Sequence, residues 1–309
     1  TISDGTYVTA YSIIGKISNA ILSKVDDATG PQDVKDQLRC EALVLRAYYH
    51  YILVNKFAKA YNPSTADNDP AIPYVTEEWD ISVPTEKATV KEVYDNIIRD
   101  LDEAIQLNAL PDKAVNRMRM NKTSAYAVKA LALLNMQQFD KAATVAEQAL
   151  ALNSTINNYN QMLTTLYGFF MGGAYPVIYR PHLQCEEDIF YTYGTESFNA
   201  ITPYAWDAFE MGHASKDKMT IDLMVYDYMM GMGSMLIGLD YVFSYDFNSG
   251  WNSSGIKTTQ MHLIIAEAEL RKGNFDLAMR SLDAIRVNRI DSQIYAPLEG
   301  TVNNSQDAI

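Results

Sequence analysis

The sequence predicts an all-α protein, a scaffold of paired helices interrupted by one long irregular insertion. Three observations lead there. Apolar residues recur at spacings of three and four over several separate stretches, which is the period of an amphipathic helix. A pattern in 123–152 returns in 261–287 at a constant offset of 136 residues. The offset carries Ala130, Ala132, Leu134, Phe139, Asp140 and Ala142 onto Ala266, Ala268, Leu270, Phe275, Asp276 and Ala278. Between the two copies the periodicity breaks, and Gly-bearing segments replace it.

Taken in order, Tyr7 to about Val25 places Val8, Tyr11, Ile14, Ile17 and Ile21 on one helical face, and Gly30-Pro31 ends that helix. A second helix is expected from about Pro31 to Ala58. It carries one stripe of Leu38, Ala42, Leu45, Tyr49 and Ile52 and another of Val44, Ala47, Tyr48, Tyr51 and Val54, so it is buried between neighbours. Asn62-Pro63 and Asp69-Pro70 make 61–73 a loop, because the residue before a proline is pushed out of the helical region. A short extended piece is expected at Ile72–Val75. A third helix over Val90–Leu107 aligns Val93, Ile97, Leu101, Ala104 and Ile105, with Thr89 as its N-cap.

The two copies related by the 136-residue offset resemble tetratricopeptide units. Small Ala residues in a first helix let a second pack closely, and the aromatic after the turn, Phe139 or Phe275, is expected between the pair. Such units stack because each alone leaves an apolar face open. The chain is therefore divided into N-terminal helical pairs over 7–152, a loop-rich insertion over 153–259, a last repeat over 260–290 and a tail over 291–309. The insertion holds Gly172-Gly173, the run Met229-Met230-Gly231-Met232-Gly233, and the loop from Asn248 to Gly255. Insertions on one face of a repeat array are where binding is expected.

The formal net charge of −13 argues against attraction to nucleic-acid phosphates or anionic lipid, and leaves a neutral partner unaffected. Two cysteines, Cys40 and Cys185, are too few for a disulfide framework. No run of about 18 apolar residues is present. Phosphate-cradling loops, nucleophile elbows and His-Glu-x-x-His pairs are absent from the sequence, so no catalytic residue, cofactor or metal site is expected. His182, Cys185 and Glu186 read as a polar turn. The carboxylates Glu77-Glu78-Asp80, Glu186-Glu187-Asp188 and Asp67-Asn68-Asp69 read as solvated loops rather than as an acid/base pair spaced about 5 to 10 Å apart, and the last lacks the ligand series of a calcium loop.

Aromatic residues in loops carry the binding expectation. Trp79, Trp206 with Tyr204, and Trp251 sit among Gly, Pro, Asn and Thr, and loops run on the surface. A sugar offers flat C–H faces to such rings and hydroxyl edges to neighbours such as Asp67 and Asn68. The other reading of each indole is an anchor for its own loop. The 21 Tyr are open to the same two readings, ring platform or large core residue.

Glu41, Arg46, Ala47 and Tyr51, in the stretch Glu41-Ala-Leu-Val-Leu-Arg46-Ala-Tyr-Tyr-His50-Tyr51, fit the early-helix pattern E-x-x-x-x-R-A-x-x-Y. On that motif, and on Glu187-Asp188-Ile189-Phe190 as a strand entry, the chain resembles SusD/RagB-like proteins as a single domain over 1–309. The resemblance implies a lipid-anchored protein exposed on the outer membrane, which captures an oligosaccharide or polysaccharide. It would hand this to a SusC-like TonB-dependent transporter without chemistry of its own. A peptide- or protein-binding repeat scaffold is the alternative. Family members carry a signal peptide and lipidation Cys, and continue into an E-R-R-x-E-L-like helix and aromatic tail. The present sequence lacks these, which implies a trimmed chain or, for the leader, a protein that is not exported. The family's binding residues vary with the glycan, so none is carried over.

Overall fold

The computed structural model describes residues 4–80, 82–83, 85–158, 185–192, 199–201, 242–244 and 255–302. Trp206, Tyr204, Trp251 and His182 lie outside the described residues. The chain divides into two compact units, Thr1–Ser154 and Thr155–Ile309.

In the first unit, α1 (Gly5–Ile13) starts on Asp4, whose carboxylate accepts from the Thr6 and Tyr7 amides. The single stripe expected along 8–21 does not hold. The chain enters a π-helical turn at Ile14–Asn19 before the short α2 (Ala20–Leu22), and the wider turn rotates the residues after it. Ala10, Ile14, Ser18 and Leu22 form the buried line, while Val8 and Ile17 are 55% and 45% exposed.

The 26-residue α3 (Gln32–Phe57) packs on α4 (Val90–Leu107), and the expected bounds hold to within a residue. On α3 the second stripe is the buried one, through Val44, Ala47, Tyr48 and Val54, whereas of the first only Ala42 is buried and Leu38, Leu45, Tyr49 and Ile52 are half-buried; Cys40 and Leu43, outside both stripes, are buried as well. Thr89 caps α4 in a reciprocal box: its hydroxyl accepts from Glu92 N at 3.2 Å and Glu92 Oε2 accepts from Thr89 N at 2.8 Å. Asn108, in the left-handed region at φ 53°, ends the helix.

The two offset-related patterns are helical pairs. One is α5 (Lys122–Asn135) with α6 (Phe139–Leu152); the other, in the second unit, is α7 (Thr258–Lys272) with α8 (Phe275–Arg286). The correspondence extends to the backbone. Gln137 (φ 60°) and Gly273 (φ 80°) take the same left-handed position, followed by Gln138 at φ −89°, ψ 62° and Asn274 at φ −88°, ψ 67°. Ala130, Ala132, Ala142 and Ala268 are fully buried, as close helix packing requires. Phe139 and Phe275 each open the second helix of their pair, but both rings are half-buried rather than enclosed.

In the second unit β1 (Asp188–Phe190) pairs antiparallel with β4 (Ile256–Lys257), so Asp188–Phe190 is extended as expected. A second antiparallel pair joins β2 (Asn199–Ile201) and β3 (Val242–Ser244). Leu298 and Val302 fold back against Ala278 and Met279. Asp283 Oδ2 accepts from Leu298 N (2.7 Å) and Glu299 N (3.1 Å), and Asp276 Oδ1 from Gly300 N (3.1 Å), which fixes that return.

Candidate functional site

The loop between α3 and α4, residues 58–89, carries three of the six sequence-predicted site residues. Its base is closed by an antiparallel bridge between Pro70 and Thr89, with Ala71 N donating to Ala88 O (2.8 Å) and Ala88 N to Ile72 O (3.3 Å). The extended piece expected at Ile72–Val75 is therefore displaced toward the loop base. Asp67 and Asn68 are exposed on a turn. Asp69 beside them is buried, taking Lys59 Nζ at 2.5 Å and Thr65 Oγ1 at 2.5 Å, and both bonds hold its carboxyl below the ordinary range. Asp69 is thus engaged by a cation and a hydroxyl. Among the described residues no group of three or more His, Cys, Asp and Glu side chains is placed to hold a metal ion.

Trp79 stands at the loop tip, 44% exposed, with its amide donating to Thr76 O at 3.2 Å. Asp80 closes the next turn by accepting from the amide and hydroxyl of Ser82 at 2.8 and 2.7 Å. No hydrogen bond or ring contact among the described residues links Trp79 to Asp67 or Asn68.

Beneath this tip lies a polar cluster that the sequence reading passed over. Arg46, on α3 and 3% exposed, donates from Nε to Asp100 Oδ2 (2.6 Å) and from Nη2 to Asp100 Oδ1 (3.0 Å). Its Nη1 donates to Asn19 Oδ1 (3.2 Å) and to Glu77 of the loop. Burial alone would lower the guanidinium pKa, but the Asp100 and Glu77 carboxylates hold it above its ordinary value. Asp100, with no exposed surface, also accepts from Tyr74 Oη (2.6 Å) and Arg99 Nη2 (3.0 Å). Burial, with this carboxylate alongside, pushes the Tyr74 phenol well above its usual pKa.

His50, fully buried and one turn beyond Arg46, stacks on Tyr74 with centroids 3.8 Å apart. Its Nε2 accepts from Val75 N (3.1 Å), so the proton sits on Nδ1, which donates to Arg46 O (2.9 Å). Burial takes its pKa down to about 3. Asn19 Nδ2 donates to Val75 O (3.2 Å) and Tyr11 Oη to Pro73 O (2.8 Å). Residues 73, 74, 75 and 77 of the loop are thereby each bonded to α1, the π turn, α3 or α4. Glu77, read from sequence as one of a solvated acid cluster, points inward to Arg46. The signal that could have found the cluster is a charged or polar residue inside an apolar stripe: Arg46 between Leu45 and Ala47, and Asp100 before Leu101.

The motif residues of α3 have structural partners. Glu41 accepts from Arg119 Nε (2.5 Å) and Nη2 (2.8 Å), Ala47 is fully buried, and Tyr51 Oη accepts from Asn135 Nδ2 (2.9 Å). In the second unit Glu187 is buried and paired with Arg289 Nη2 through both oxygens (3.0 and 2.9 Å), while Asn157 N donates to it at 2.7 Å. Glu77 and Glu187 are thus each engaged by an arginine. A separate groove of about 660 Å³ runs along α4, α5 and α6, with Leu133, Met136 and Val145 at its floor and Asp95, Lys129 and Gln148 among its polar lining.

Residues 3–134 match the SusD-like family model described as "Starch-binding associating with outer membrane". No curated protein matches the chain. Among solved structures, a SusD superfamily protein from Bacteroides thetaiotaomicron aligns at TM-score 0.70 and 16% identity, over 93% of this chain and 66% of its own. A SusD-like carbohydrate binding protein from Bacteroides vulgatus aligns at 0.67 and 20%, over 98% and 64%. Surface glycan-binding protein A from Bacteroides uniformis aligns at 0.61 and 17%, over 95% and 67%. The chain thus spans about two thirds of the length of these relatives. Residues 3–134 are thus similar in sequence to the SusD-like family, and the chain shares the fold of SusD superfamily structures.

Proposed function

We propose that the protein captures a neutral oligosaccharide or polysaccharide at the outer-membrane surface and passes it, unaltered, to a SusC-like TonB-dependent transporter. The observation that carries this reading is the match of residues 3–134 to a starch-binding, outer-membrane-associated family model. Trp79 supports it, as an exposed indole on a loop whose near limb is bonded to the helices beneath. An indole face suits the C–H face of a pyranose, and Trp206, Tyr204 and Trp251 of the insertion are proposed as further ring partners, with Asp67 and Asn68 on the polar edge. Attachment to the membrane is proposed through a lipid anchor; no helix of the described residues is long and apolar enough to cross a bilayer.

Calorimetry and affinity electrophoresis against a panel of neutral polysaccharides, soluble starch and laminarin included, test the capture. Saturable binding without release of reducing ends is expected. Reducing-end release that disappears in a carboxylate variant such as Glu78→Gln would overturn the non-catalytic part. A second reading, a peptide-binding scaffold, is favoured by the groove along α4 to α6, and it predicts a peptide ligand with no sugar binding.

A further inference from the structure

The buried cluster around Arg46 is costly to build. Charged groups taken out of water are stabilising only when their partners are complete, and a plain apolar core would hold α3 against α4 as well. What distinguishes this cluster is where its partners come from. Asp100 and Asn19 belong to the scaffold, whereas Glu77, Tyr74 and the Val75 amide belong to the loop. Arg46 and His50 therefore convert a rigid pair of helices into a rigid mount for one loop limb.

That limb leads directly to an exposed ring. Glu77 lies inside the turn closed by Trp79 N and Thr76 O, two residues before the indole, and its side chain runs back to Arg46. Trp79 itself is 44% exposed, and it makes no ring contact among the described residues that would define it as an anchor. An aromatic ring left out of the core, on a turn fastened from below by an ion pair, is arranged for contact with something outside the protein. A fastened loop has little conformational freedom left to lose on binding, which is how preorganisation raises affinity.

We propose that Glu77, held by Arg46, is a positioning residue that fixes the Trp79 indole as a stacking face for a sugar ring. The inference rests on the glycan-capture reading for its ligand, but the positioning itself is observable without one. Removing the Glu77 carboxylate leaves Arg46 its two bonds to Asp100 and its bond to Asn19, and leaves the limb its bonds at Pro73, Tyr74 and Val75, so the scaffold keeps its own pairing while the loop loses the fastening nearest the indole.

The experiment has two arms. In the first, Trp206→Phe and Trp251→Phe leave Trp79 as the sole indole, and its anisotropy and acrylamide quenching are read with no ligand present. Glu77→Ala should lower the anisotropy and raise the quenching constant about twofold, whereas Glu77→Gln, which retains an oxygen acceptor for the guanidinium, should restore most of the parent values. Unchanged anisotropy and quenching in Glu77→Ala would overturn the proposal.

In the second arm, with Trp206 and Trp251 intact, dissociation constants for soluble starch and laminarin are measured for Glu77→Ala, Trp79→Ala and the double variant, with melting temperature on the same preparations. Each single change should weaken binding roughly 5- to 10-fold, and the double variant should be no weaker than Trp79→Ala alone, because Glu77 acts through the indole. Losses that multiply would show that Glu77 acts by another route and would overturn it. If the parent protein binds neither polysaccharide nor any other member of the panel, the glycan reading fails, while the first arm still decides whether Glu77 positions the ring.

Discussion

Arg46 and Asp100 meet as a bidentate pair with both side chains essentially out of solvent, Nε to Oδ2 at 2.6 Å and Nη2 to Oδ1 at 3.0 Å. They come from α3 and α4, the two longest helices described, and the fit of a planar guanidinium to a carboxylate fixes how those helices face each other.

Arg46→Met should cost about 3 to 5 kcal/mol, because Asp100 would stay buried without its principal cation. Arg46→Lys should recover only part of this, since an ammonium cannot make the forked pair. Urea unfolding of the three proteins measures it. A loss near zero for Arg46→Met would show that water reaches Asp100.

His50 makes stability depend on pH in a defined direction. Its folded pKa, near 3 through burial, lies below the unfolded value of about 6.5. Below pH 6.5 the unfolded chain binds a proton that the folded chain refuses. Stability should therefore fall as pH drops from 6.5 toward 3, with a contribution of up to about 1.4 kcal/mol per pH unit. Burial also lowers the pKa of His262, which adds to the slope. In His50→Gln the slope between pH 6 and 4 should be shallower by about 1 kcal/mol per unit; equal slopes would place the dependence elsewhere.

The matched turns give a pair of substitutions of opposite sign. Gly273→Ala should destabilise by about 1 kcal/mol, since φ 80° strains an L side chain although no atom lies within 4 Å of the added Cβ. Gln137→Gly relieves the same strain at φ 60° in the other pair. It should stabilise by roughly 0.5 kcal/mol, less than the strain released, because the Gln137 bond to Tyr61 O is lost and the unfolded chain gains freedom. Denaturant midpoints of both variants test the pairing, and changes of equal sign would contradict it.

Arg289→Met should cost about 3 kcal/mol by stranding the buried Glu187, and Glu187→Gln less, because the amide oxygen still accepts from Asn157 N. Calorimetric unfolding of both variants distinguishes this from a surface pair, for which each change would stay below about 1 kcal/mol.

Much of the scaffold was legible because helix-forming residues announce themselves locally. Val93, Ile97 and Leu101 lie on one stripe and are all buried, Thr89 carries its capping signal four residues ahead of Val93, and the 136-residue offset held as far as the turn conformation at Gln137 and Gly273. The stripe over 8–21 failed because a π turn changes the period, and nothing in the local composition marks it. The half-burial of Phe139 and Phe275 depends on the spacing of helices, not on their sequence pattern. The exposure of the loop indole Trp79 was legible because a ring among loop residues has no local reason to be buried. Its fastening was not, because Asn19, Arg46, His50, Tyr74, Glu77 and Asp100 become neighbours only when four distinct segments meet.

The hydrogen bonds made by Trp79, Asp80, Ser82 and Val83 stay within the tip, whereas those of Pro73, Tyr74, Val75 and Glu77 run to the helices. The division falls within a few residues of one surface loop. Selection can therefore try new side chains at positions 78–83 and leave the folding of α3 and α4 untouched. A tip of this kind is a replaceable part bolted to a fixed frame, and foreign sequence grafted there should leave the frame folded.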